Sequence, residues 1–243
     1  MTTLITGAGR GIGRAIALAL ASKGHTTILT ARTITELESV KQEIESKNGK
    51  AVIYSCDLTS RDAITSLLTS IENEVGNIDI VVNNAGIAES AKLEDTTNEF
   101  WQKTFAINVD APFFLTRGIV PDMKKSGKGT IINIASTAAL EGFNYTSAYT
   151  ASKHALLGLS RALAVELRKS NISVHTICPG FVRTDILTKS VENITKRTGK
   201  SSTDAETELG KMNASGRIIE PEEVANIVLD IISGANKNEL ITL

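Results

Sequence analysis

The stretch TLITGAGRGIGRAIALAL, residues 3–20, passes from a β-branched run through glycines at 7, 9, 11 and 13 into apolar residues at helical spacing. Glycine lets the backbone turn sharply there and lets a phosphate approach the N-terminus of the following helix. The spacing departs from the G-x-G-x-x-G fingerprint: counted from Gly7 the third glycine falls on Ile12, and counted from Gly9 on Arg14. What stands is Gly7-x3-Gly11-x-Gly13, preceded by Thr6. With a strand before it and an amphipathic helix after it, the stretch reads as a dinucleotide turn opening a βαβ unit.

The same alternation continues outward. Near-continuous apolar runs occupy 2–6, 26–31, 50–56, 78–83, 129–136 and 172–178, with a weaker one, ELITL, at 239–243. Such runs fit strands buried on both faces of a parallel sheet. Segments such as RAIALALASKG and ITELESVKQEIESKNG lie between them, apolar at helical spacing and with glycine near their ends. Long helices are expected at about 97–125 and 147–169. The pattern predicts an α/β fold: a single Rossmann domain over 1–243, a doubly wound parallel sheet of about seven strands with helices on both faces. One polar, charged stretch at 184–213 interrupts the rhythm and reads either as a lid over a ligand or as a solvated excursion.

Bulk properties narrow the function. A formal net charge of −1 argues against a nucleic-acid binder. No apolar run approaches the ~18 residues of a membrane span, and the apolar start meets glycine too early for an export signal, so a cytoplasmic protein is expected. Cys56 and Cys178 each end a strand and read as buried free thiols. His25, His154 and His175 have no metal-ligand spacing, and no metal is expected.

The second strand ends in Ala31-Arg32, where an NAD enzyme of this architecture places an acid for the ribose hydroxyls. A guanidinium binds a 2′-phosphate that a carboxylate would repel, and Arg10 in the glycine loop is a second cation within reach. The expected cofactor is NADP(H).

In SAYTASKHALLG, residues 147–158, Tyr149 and Lys153 stand one helical turn apart on a face otherwise small and apolar. A phenol with an ordinary pKa near ~10 is a poor base at neutral pH, and a neighbouring ammonium favours phenolate. These residues belong to an ordered set. It comprises Thr6 to Gly13, Asp57 after the third strand, Asn83-Asn-Ala-Gly86 after the fourth, Asn108, Ser136 ending the fifth, the Tyr149–Lys153 pair, and PGFVRT at 179–184. Together they resemble the short-chain dehydrogenase/reductase family over nearly the whole chain.

That resemblance implies a role for each residue. Tyr149 is the general acid in reduction, or base in reverse; Lys153 assists it and binds the nicotinamide ribose. Ser136 donates to the substrate oxygen, and Asn108 positions a water in a proton relay. Thr6, Gly7, Arg10, Gly11, Ile12, Gly13 and Arg32 bind the phosphate end of the cofactor. Asp57 and Leu58 contact adenine; Asn83, Ala85 and Gly86 line the adenosine side; Pro179, Gly180, Val182 and Thr184 receive the carboxamide. Substrate is expected against Ser136, Ala138, Leu140, Phe143 and Tyr149. Lys189, Lys196, Arg197 and Lys200 are cations of the interrupting stretch that would steer an anionic arm, facing acids at Asp185 and Glu192; from this feature alone a solvated loop is equally open.

The resemblance is strongest to 3-oxoacyl-thioester reductases, acting on acyl-carrier-protein or CoA substrates in fatty acid metabolism. A dehydrogenase of a small secondary alcohol or 3-hydroxy acid remains open, as does a dinucleotide-sensing protein without chemistry. Small ketones or thioesters are the expected partners. A homotetramer is expected from the apolar girth of the helix at 147–169 and from the four-helix contact common in the family.

Overall fold

A computed structural model describes all residues, 1–243. Seven strands form one parallel sheet: β1 (Thr2–Thr6), β2 (Thr26–Ala31), β3 (Lys50–Ser55), β4 (Ile80–Asn83), β5 (Gly129–Ile134), β6 (Ile172–Cys178) and β7 (Leu240–Thr242). Their order is β3-β2-β1-β4-β5-β6-β7. The order reverses between β1 and β4, and a ligand crevice in an open sheet lies beyond the strand ends at that switch.

The helices are α1 (Gly11–Ser22), α2 (Ile34–Ser46), α3 (Arg61–Glu74), α4 (Asn98–Phe105), α5 (Ala111–Ser126), α6 (Ser147–Leu167), α7 (Asp185–Thr198), α8 (Ser202–Lys211) and α9 (Pro221–Ser233). Leu20, Leu37 and Val228 join one buried cluster on one side of the sheet, and Leu67, Leu115 and Leu167 join another on the opposite side. Burying each such side chain contributes about 1.5–3 kcal/mol. No helix is long and apolar enough to cross a membrane.

One expectation changes, and one open stretch acquires structure. The helix expected over about 97–125 is α4 and α5 joined by a π-helical turn at Ala106–Asp110. Periodicity does not register the extra residue, which turns Asn108 into the interior. The polar stretch after β6 is helical: α7 and α8 share a small core of Leu187, Val191, Ala205, Leu209 and Ile218. Its apolar residues are sparse enough for composition to hide the amphipathic spacing.

Candidate active site

A cleft of about 990 Å³ opens along the carboxyl edge of the sheet, between the glycine loop, α6 and α7. Its lining includes Gly7, Arg10, Gly11, Ile12, Arg32, Asp57, Leu58, Ala85 and Gly86 together with Ser136, Ala138, Phe143, Tyr149, Lys153, Pro179, Gly180, Val182 and Thr184.

The glycine loop is built for close approach. A Cβ on Gly13 would lie 2.2 Å from the Gly7 carbonyl oxygen, so only glycine lets α1 start this near β1. Gly11 has φ +53° and packs on Thr184, where a Cβ would meet Cγ2 at 3.0 Å. No side chain caps the first turn of α1. These features, with Arg10 and Arg32 on the cleft wall, suit a phosphorylated dinucleotide.

Three residues assigned to the cofactor act from behind the wall. Thr6 is buried, and its Oγ1 accepts from the backbone N–H groups of Asn84 and Ala85 at 3.0 and 2.9 Å, holding β1 to the β4 turn. Gly13 is buried in the helix start. Asn83 is buried on the sheet and donates to Asn133 Oδ1 at 2.8 Å. Its neighbour Asn84 is the cleft residue, with Nδ2 donating to the Thr6 and Gly7 carbonyls at 2.8 and 3.2 Å. Successive strand side chains face opposite ways, so a shift of one residue decides which asparagine reaches the cleft.

Ser136 is set by the sheet. Ala135 N–H donates to Ile177 O at 2.8 Å and Thr137 N–H to Pro179 O at 3.0 Å, so the residue between them is pinned beyond the end of β5. Its Oγ accepts from Ala138 N–H at 3.1 Å. A 3-10 turn at Thr137–Ala139 then carries Leu140 to the surface, 43% exposed. Leu140 is therefore not a cleft wall, contrary to the sequence reading. Tyr145 is: it carries φ +64°, gives its carbonyl to Ala91 N–H at 2.9 Å, and lies beneath the Arg197 guanidinium, 5.3 Å from the ring centroid. A non-glycine residue in that conformation is held by its surroundings.

Tyr149 and Lys153 project from α6 into the cleft. Lys153 Nζ sits 5.7 Å from the Tyr149 ring centroid and donates to the Ile134 carbonyl at 3.0 Å. Burial pushes its pKa down to about 8. The phenol moves the other way. Burial raises its pKa, outweighing the neighbouring Ser136 hydroxyl, which acts to lower it. Burial is thus the larger influence on the phenol, whose ring Lys153 Nζ faces while it donates to a backbone carbonyl. Buried Cys178 stands near both groups, a neighbour that sequence spacing could not show.

Three hydrogen bonds hold the Asn108 side chain. Oδ1 accepts from Ile87 N–H at 3.0 Å, and Nδ2 donates to Ile87 O and Ser152 Oγ, each at 3.0 Å. It ties the loop after β4 to α6 and so fixes the helix that carries Tyr149 and Lys153. Asn213, which the motifs did not flag, does similar work beyond β6. It accepts from Phe181 N–H at 2.7 Å and donates to Phe181 O and Arg217 O at 2.9 and 2.7 Å. Asp57 Oδ1 accepts from Thr59 N–H and Oγ1–H, which together hold its pKa below the usual range.

Of the cations expected at the substrate rim, Lys189 and Arg197 line the cleft, while Lys200 is paired with Glu208. Asp185 faces Arg10 of the glycine loop instead of these cations, with Oδ2 2.6 Å from Nη1.

Comparison with known proteins places this geometry. The family model for short chain dehydrogenase matches residues 1–195. The chain is 34% identical over 231 residues to a D-beta-hydroxybutyrate dehydrogenase of Rhizobium meliloti, covering 94% of this chain and 90% of that one. It is also 34% identical over 230 residues to a 3-oxoacyl-acyl-carrier-protein reductase of Thermotoga maritima, covering 95% and 89%. A variant of the actinorhodin polyketide ketoreductase, solved with NADPH, superposes with a TM-score of 0.94 at 29% identity, covering 100% of this chain and 95% of that one. A parallel sheet that reverses at β1 and β4, with a glycine cradle and a serine, tyrosine and lysine lining its edge cleft, belongs to the short-chain dehydrogenase/reductase family of oxidoreductases, and so does this chain.

Proposed function

We propose that the protein is an NADP(H)-dependent carbonyl reductase whose substrate is a 3-oxoacyl thioester carried on CoA or an acyl carrier protein. The observation that carries the reaction class is the convergence of Ser136, Tyr149 and Lys153 beside a glycine cradle flanked by two arginines. The NADPH-bound ketoreductase that superposes on the chain supports the cofactor. Arg32 and Arg10 would hold the adenosine 2′-phosphate, and the cradle the pyrophosphate. When bound, the reduced nicotinamide supplies the hydride.

The chain supplies the proton and the geometry. Ser136 Oγ–H donates to the substrate carbonyl oxygen and orients it toward Tyr149. Tyr149 Oη releases its proton to that oxygen as negative charge develops there. A phenol holds its proton at neutral pH, as the acid in the reductive direction must, and burial acts in the same sense. Lys153, while charged, stabilises the phenolate left behind. Ala138 leaves room beside Ser136, and Phe143 and Tyr145 form an apolar wall. Helices α7 and α8 act as the lid.

The thioester reading rests on the mouth of the cleft. Lys189 and Arg197 face it from α7, and Arg197 lies over the Tyr145 ring rather than against a carboxylate. Both are placed to meet a phosphate-bearing arm, through an attraction that salt screens. NADPH oxidation measured with acetoacetyl-CoA and with its N-acetylcysteamine analogue should favour the CoA ester at low salt, with the advantage shrinking at high salt. Equal use at every ionic strength overturns this reading. The same two cations also suit a free carboxylate, and the hydroxybutyrate dehydrogenase relative favours that second reading, which acetoacetate in the same assay tests.

A homotetramer is proposed from the apolar residues left at the surface of α4, α5 and α6, namely Trp101, Phe113 and Val165. Light scattering at micromolar concentration should report four subunits; a monomer contradicts the proposal.

A further inference from the structure

Arg10 is contested. Its Nη1 lies 2.6 Å from Asp185 Oδ2 and 3.9 Å from Glu36 Oε1. The two carboxylates come from different elements: Asp185 opens α7, and Glu36 sits in the first turn of α2. Gly9 admits Glu36 to this place, since a Cβ there would stand 2.8 Å from Glu36 Cβ and 2.9 Å from Oε2. All four residues line the same cleft as Arg32 and Thr33. The end of β2 lacks an acid, yet an acid reaches the same region from the next helix.

We propose that Asp185 and Glu36 determine cofactor specificity by competing with the adenosine 2′-phosphate for Arg10. The inference rests on the NADP(H) reading above. A dinucleotide bearing the 2′-phosphate has to draw the Arg10 guanidinium away from carboxylates that already neutralise it. A dinucleotide without that phosphate makes no claim on Arg10 and is indifferent to them. The chain therefore discriminates less strongly between the two than a pair of free arginines would. The Arg10–Asp185 pair is solvated, with side chains 61% and 60% exposed, so each carboxylate is worth a modest factor. Removing one should tighten binding of the phosphorylated ligand about two- to fivefold.

The test is calorimetric titration of the full chain with 2′,5′-ADP and with 5′-AMP. Wild type is compared with Asp185→Asn, Glu36→Gln, Arg10→Ala and the Arg10→Ala/Asp185→Asn double variant. Both single carboxylate variants should tighten 2′,5′-ADP, leave 5′-AMP unchanged, and show a gain that shrinks with salt. In the Arg10→Ala background the Asp185→Asn gain should disappear. The proposal is overturned by equal tightening of both ligands, by no change, or by a gain that persists without Arg10. Failure of the cofactor reading shows separately, as wild type binding the two ligands equally and Arg32→Ala altering neither.

Discussion

Tyr149→Phe is expected to lower kcat for carbonyl reduction by about 10²–10⁴-fold, the range supplied by a positioned general acid. The substitution removes one hydroxyl and keeps the ring. The contact with Lys153 runs to the ring face, so the variant should fold, melt near the wild-type temperature and still bind NADPH. Dinucleotide affinity by fluorescence titration and kcat from NADPH oxidation separate the two effects. A loss confined to kcat marks a group that acts only in the transition state. Near-wild-type kcat in the variant would remove Tyr149 from the chemistry.

Lys153→Met should cut turnover severely and yet not lower the melting temperature. Lys153 is buried, and its pKa falls from 10.5 to about 8 because burial penalises the cation. Between those values the unfolded chain holds a proton that the folded chain lacks, so this group's contribution to stability rises with pH through that window. Below pH about 8 the buried cation costs on the order of 3 kcal/mol. Methionine removes that cost, while leaving the Ile134 carbonyl without its donor gives back about 1–3 kcal/mol. Turnover has no such compensation: without the cation the phenolate is unsupported, and kcat should fall about 10²-fold or more. For the same reason, wild-type reductive kcat/KM should fall as pH rises through about 8, where Lys153 loses its charge. A profile flat to pH 10, or a large drop in melting temperature for the methionine variant, contradicts this account.

Much of the fold was legible because parallel strands announce themselves. The runs at 2–6, 26–31 and 172–178 match β1, β2 and β6 residue for residue. Strands buried on both faces need apolar residues throughout, and the connecting helices need theirs on one side only. The helix over about 97–125 was less legible, since the π-turn at Ala106–Asp110 adds a residue without altering the residue types. At 184–213 the apolar positions of α7 and α8 were masked by the charges that solvate their outer faces.

The site divides along the same line. Sequence alone determined what depends on short spacing. It set the glycines that let α1 approach β1, the one-turn separation of Tyr149 and Lys153, and the position of Ser136 at a strand end. Covalent geometry and helical period carry these over a few residues. Tertiary structure decided what depends on neighbours far along the chain. It chose Asn84 over Asn83 for the cleft, turned Leu140 outward, and brought Asn213 to the turn after β6. It also gave Arg10 to Asp185, 175 residues away, and moved the pKa values of Tyr149 and Lys153 in opposite directions. Burial and charge act through space, and the distances between these groups exist only once the chain has folded.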